Sequence, residues 1–114
     1  MNEIEAYVNQ FDNEKKEWIQ EFTDYMQQKH PEMKEVIWFR MPTYKKDELY
    51  IAFSVARHHF TVHTNDEKSF QLMKEALPDC KCGKRSIQIK YNQQDAKRVI
   101  YNTIEFLARK IDCN

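Results

Sequence analysis

The chain has 114 residues and a mass of 13.9 kDa, enough for one compact domain and too little for two. Hydrophobic residues make up 41% and aromatics 13%, which supplies a core and excludes general disorder. Eighteen basic side chains cancel eighteen acidic ones, which argues against a general nucleic-acid binder, and the single glycine, Gly83, excludes a P-loop and a GxGxxG turn.

Asn2-Glu3-Ile4-Glu5 is suited to open a short helix, with Asn2 as its cap. Asp12 is placed to cap a longer one. In it Phe11, Trp18, Ile19, Phe22, Tyr25 and Met26 recur at helical spacing, and His30-Pro31 ends it. Val36-Ile37-Trp38-Phe39 reads as a strand, and Pro42 after it marks an edge or a break, because proline donates no ladder hydrogen bond. Lys45-Lys46-Asp47-Glu48 is a polar turn. Leu49 to Val55 and His59 to His63 are strands, and the short link Ala56-Arg57-His58 predicts an antiparallel hairpin. Thr64-Asn65-Asp66-Glu67 has the form of a capping box with Thr64 as the cap, opening a helix that runs to about Leu77 and stops at Pro78.

Ser86 to Tyr91 alternates polar and apolar, so it reads as a half-buried strand. Asn92 caps the last helix, with Asp95 in its first turn. One face carries Ala96, Val99, Ile100, Ile104, Leu107 and Ile111; the other carries Arg98, Asn102 and the i,i+4 pair Glu105 and Arg109. The expected core contains Trp18, Phe22, Met26, Phe53, Ile100, Ile104 and Leu107. With no internal repeat and no linker, residues 1–114 form a single domain of the α+β class, a two-layer arrangement of helices packed on an antiparallel sheet.

The longest apolar run, residues 49–53, is far short of the ~20 residues a membrane span needs. The acidic N-terminus carries no apolar signal region, so the expected location is the cytoplasm, with no membrane partner. Three cysteines, Cys80, Cys82 and Cys113, are an odd count that suits reduced thiols. Cys80-Lys81-Cys82 has the spacing of neither a zinc nor a redox motif, although Lys81, Lys84 and Arg85 are placed to lower a thiol pKa.

Two charged groupings are candidate sites. Residues 1–35 hold nine acids and four bases, a net of −5, and the remainder carries +5. Within the acidic part, Glu14, Glu17, Glu21 and Asp24 fall on one helix face, as an open oxygen site for a hard cation or as a solvated face. Within the basic part, Arg57, His59, Lys84 and Arg85 are candidates for binding a small anion or an acidic protein partner, or else form a solvated strand face. His59, Thr61 and His63 share a strand face, but His59 and His63 lie roughly 13 Å apart along it, too far to hold one metal ion together. No nucleophile–base motif stands out, so an enzyme is not expected.

Four segments in order resemble a known family: Met41-Pro42-Thr43-Tyr44, Ile51-Ala52-Phe53, Arg57-His58-His59-Phe60-Thr61 and Gly83-Lys84-Arg85-Ser86-Ile87. They are similar to the motifs of the YdhG-like family of bacterial domains of unknown function, over about residues 3 to 108. The resemblance implies a small α+β fold likened to frataxin, and some members are described as frataxin-like intracellular iron chaperones. It therefore makes the Glu14–Asp24 stripe a candidate iron site, with iron as the possible cofactor. Two family glycines are replaced, by Ala52 and Arg85, so any close approach they permit is lost here. The sequence thus leaves two readings: an iron-binding domain acting through the acidic helix, or a protein-interaction or anion-binding module, a homodimer among its possible forms, with no metal role.

Overall fold

The computed structural model describes residues 2–112. Cys113 lies outside them, so the thiol expectation rests on Cys80 and Cys82, which are both free. The elements are α1 (Glu3–Val8), α2 (Asn13–Lys29), β1 (Lys34–Trp38), β2 (Met41–Lys46), β3 (Leu49–Val55), β4 (Phe60–Thr64), α3 (Glu67–Ala76), β5 (Lys81–Cys82), β6 (Ser86–Ile89) and α4 (Ala96–Asp112). The strands form one sheet in the order β1-β2-β3-β4-β6-β5, antiparallel at every pairing.

Strand residues alternate between the two faces, and the register decides which face is the core. Ile37 lies opposite Pro42, Tyr44 opposite Ile51, Phe53 opposite Val62, and Val62 opposite Ile87. These residues, with Phe60 and Ile89, belong to the face that the helices cover. Trp18, Phe22, Met26, Ile100, Ile104 and Leu107 come down onto it, all of them buried as expected. Phe22 stacks on Phe53 at 5.6 Å, and Trp18 lies 5.3 Å from Phe60. The Trp18 indole N–H donates to the Tyr91 carbonyl at 3.1 Å. The opposite face carries Val36, Thr43, Ala52, His63 and Ser86 across the sheet, none of which joins the core cluster. The shortest dimension of the molecule, 22 Å, is that of two layers.

Four local expectations change. Asp12 occupies the cap position of α2 without a side-chain hydrogen bond, and Asn13 enters the helix at φ 55°. Asp66, not Thr64, caps α3: its carboxylate accepts the Ser69 N–H at 3.1 Å. Thr64 ends β4, and its hydroxyl is already committed to the Tyr50 carbonyl at 2.8 Å. The last helix starts at Ala96 instead of after Asn92, because residues 90–97 first wind through successive turns, including Gln93 N–H to the Lys90 carbonyl and Ala96 N–H to the Gln93 carbonyl. Pro42 lies inside β2, between two neighbours. The two-residue turn makes Trp38 and Met41 the hydrogen-bonded pair, so the next residue, Pro42, points its nitrogen away from β1, and the β3 ladder starts only at Thr43.

The edge strand β5 was not expected. It is two residues long and pairs Lys81 with Gln88 and Cys82 with Ile87. Gly83 turns the chain into β6 with its N–H on the Ser86 carbonyl at 2.9 Å. A Cβ at Gly83 would lie 2.5 Å from the Ser86 hydroxyl oxygen, so any other residue there requires the Ser86 side chain to move.

Candidate functional site

The carboxylates of α2 do not converge. Glu14 and Glu17 are exposed. Glu21 takes the Lys97 ammonium at 2.9 Å and the Tyr101 hydroxyl, which binds it to α4. Burial first, and then that hydrogen bond, raise the Tyr101 pKa well above the usual phenol range. Asp24 accepts from Gln20 on its own helix at 2.8 Å. Among the described residues no three His, Cys, Asp or Glu side chains come together as metal ligands.

Glu105 is not the solvated partner of Arg109 that its spacing suggests. It accepts the Tyr25 hydroxyl, and His30 Nε2 lies 2.7 Å from the same oxygen. Burial alone would raise the Glu105 pKa, but the Tyr25 and His30 hydrogen bonds outweigh it and the carboxyl falls below its usual range. Tyr25 is pushed up to about 12, by burial first and by Glu105 second. This cluster ties the end of α2 to α4 and has a structural role.

The four basic candidates separate into two groups. Phe60 pairs with Ile89 at one end of the β4–β6 ladder and His63 with Ser86 at the other. Arg57 and His59 therefore sit at the first end, Lys84 and Arg85 at the second. Arg85 is a clasp: its Nε lies 2.9 Å from Glu67, and its Nη1 donates to the Asn65 carbonyl at 2.8 Å, holding the start of α3. The departure from the family glycine at this position thus carries a contact of its own.

At the first end, His59 joins a cleft of about 360 Å³, also lined by His58, Lys81, Lys90, Gln88 and Gln93. Asp79 and Cys80 complete its wall. The Cys80 thiol lies 3.8 Å from the Gln93 amide oxygen. Burial raises its pKa, against the opposing pull of the Gln93 contact and Lys90.

The open face of the sheet carries the other concentration of chemistry. Trp38 is 40% exposed and Phe39 is 76% exposed. Their rings lie 4.6 Å apart, Trp38 meets Tyr50 edge-on at 5.2 Å, and the Lys45 ammonium stands 5.7 Å above the Trp38 ring. Phe39 and Arg40 form the turn with φ 50° and 63°, a pair of left-handed residues that hairpins usually assign to Asn and Gly. Lys34 and Lys45 are direct cross-strand partners. The strand residues on this face include Lys34, Lys45 and Lys81 but no Asp or Glu. The run Val36-Ile37-Trp38-Phe39 hid this surface in the sequence, because a continuous apolar stretch does not say which of its residues faces the helices. The two-residue alternation, once anchored on Ile37, would have turned Trp38 outward.

The sequence matches no family model and no curated protein. Among solved structures the chain is similar to the crystal structure of YdhG from Bacillus subtilis, a protein of the DUF1801 family, at 19% identity. The match covers 97% of this chain and 93% of that one with a TM-score of 0.78. The likeness is one of fold, and that neighbour comes from the family the four sequence motifs resemble. The α+β two-layer architecture expected from the sequence is the one found. No helix among the described residues is long and apolar enough to cross a membrane.

Proposed function

We propose that this chain is a non-catalytic binding domain whose open sheet face recognises an acidic protein partner. The observation that carries the reading is the Trp38–Phe39 pair, held out by a left-handed turn beside Lys34 and Lys45, which join no ion pair among the described residues. Each part is costly to the isolated fold. A bulky residue in the left-handed region costs about 1–3 kcal/mol, and like charges placed directly opposite on a sheet are destabilising. An exposed aromatic cluster leaves apolar area in water. A partner with apolar side chains and carboxylates would offset the last two, and the strained turn fixes the aromatic pair in place for it. A two-fold dimer through this face would set lysines against lysines, and the zero net charge disfavours nucleic acid.

The test is selection from a random displayed-peptide library against the wild-type protein. Selected peptides should be rich in Asp, Glu and apolar residues. Trp38→Ala should weaken the best of them at least ten-fold, as expected of an aromatic anchor, and shift less of the tryptophan emission on binding. A basic or charge-free consensus, undiminished binding to Trp38→Ala, or concentration-dependent dimerisation in sedimentation would overturn the proposal.

Iron handling, the activity implied by the family resemblance, is the competing reading and has a separate test. Glu21 is a poor residue to neutralise, because the Lys97 ion pair would be lost with it. Glu14→Gln/Glu17→Gln removes the two exposed carboxylates instead. Anaerobic melting with and without Fe²⁺ is expected to show no metal-dependent shift in wild type. A rise in melting temperature that disappears in the double variant would establish a metal site on α2.

A further inference from the structure

We infer that the cleft at the β4–β6–β5 end binds the phosphate group of a small phosphorylated molecule. Its volume, about 360 Å³, is that of a small-ligand site. Lys81 and Lys90 line it, and neither belongs to any of the ion pairs among the described residues, which are those of His30, Arg85, Lys97 and Lys110. Lys81 is held in place by the β5–β6 ladder, directly opposite Gln88. Gln93 is fixed as well: its amide oxygen accepts the Lys90 N–H at 2.9 Å and faces the Cys80 thiol, which leaves its NH₂ as the free donor. His58 and His59 belong to the same lining, and Asp79 is its one acidic residue.

The lining residues include two lysines, two histidines and two glutamines against one aspartate, which gives the cleft an excess of positive charge and several potential donors. A tetrahedral dianion presents enough oxygens to use such a set, whereas a monocarboxylate leaves half of it unpaired. The metal alternative lacks support, since no three metal-ligating side chains come together among the described residues. A cleft of about 360 Å³ is larger than a phosphate ion, which leaves room for an ester substituent.

This inference is independent of the Trp38 surface, which lies at the far edge of the sheet. The experiment is calorimetric titration at low ionic strength with phenyl phosphate, inorganic phosphate and acetate. Phenyl phosphate should bind saturably and more tightly than inorganic phosphate, and acetate at least ten-fold more weakly. Lys81→Ala/Lys90→Ala removes two exposed side chains, so it should melt like wild type while losing ten-fold or more in phenyl phosphate affinity. Lys84→Ala, at the opposite end of the ladder, and Trp38→Ala should both bind as wild type does. Undiminished binding in the lysine double variant, an equal loss in Lys84→Ala, or acetate binding as tightly as phosphate would each overturn the assignment.

Discussion

Trp18→Ala is expected to cost about 3–5 kcal/mol of folding stability, the usual range for removing a large aromatic side chain from a core. Trp18 is fully buried and sits where the layers meet, with Phe22, Phe60 and Tyr91 around its ring and the Lys97 ammonium 4.8 Å above it. For a domain of this size the loss corresponds to a melting temperature lower by about 12–20 °C. Trp18→Phe separates packing from hydrogen bonding. It keeps most of the volume and gives up the bond to the Tyr91 carbonyl, which still receives the Gln94 amide at 3.2 Å. That variant should lose only about 1–2 kcal/mol. Urea unfolding of both reads the difference, and a loss below about 1 kcal/mol for the alanine variant would show that the aromatic centre of the core is misplaced.

Asp66→Ala is expected to cost about 2–3 kcal/mol, because two functions end together. The carboxylate caps α3 through the Ser69 N–H at 3.1 Å and the Ser69 hydroxyl at 2.7 Å, and it pairs with Lys110 of α4. Asp66 is 5% exposed. Burial by itself raises its pKa, but the Lys110 and Ser69 hydrogen bonds outweigh burial and hold the carboxyl below its usual value. A carboxyl whose pKa is lower folded than unfolded adds stability above the unfolded pKa and loses it as the pH falls through the folded one. Wild type should therefore weaken as the pH drops below about 4. Glu105, lowered in the same direction by Tyr25 and His30, adds to this trend. Asp66→Asn keeps an acceptor for the cap without the charge, so its stability should vary less with acid than that of wild type. An unchanged acid dependence would show that the Lys110 pair contributes nothing.

Both variants act at points of the fold that were unequally legible in the chain. Trp18 was readable because helical periodicity is local: residues three and four apart share a face wherever the helix lies. The same locality made the α4 stripe from Ala96 to Ile111 readable, along with the stop at Pro31 and the alternation around Ile87. Asp66 was half readable. The cap segment is evident from its composition and points to Thr64 as first residue, and only the pairing of β3 with β4 takes the Thr64 hydroxyl away to Tyr50.

Composition, periodicity and turn chemistry by themselves determined a single α+β domain with helices on one side of an antiparallel sheet, and they named its core. Tertiary structure decided everything that depends on which surface meets which. It turned Glu21 and Glu105 from a solvated stripe and a surface pair into anchors between helices. It divided Arg57 and His59 from Lys84 and Arg85, since antiparallel pairing sends residues adjacent in type to opposite ends of a ladder. It also added the two-residue strand β5, too short to carry any pattern, and thereby placed Lys81 beside Gln88 in a cleft with His58, His59 and Lys90. The physical reason is one of range. Side-chain spacing along a helix or strand is set by bonds within a few residues, whereas the partner of a charge is set by packing between segments tens of residues apart, as in the separation of 76 positions from Glu21 to Lys97.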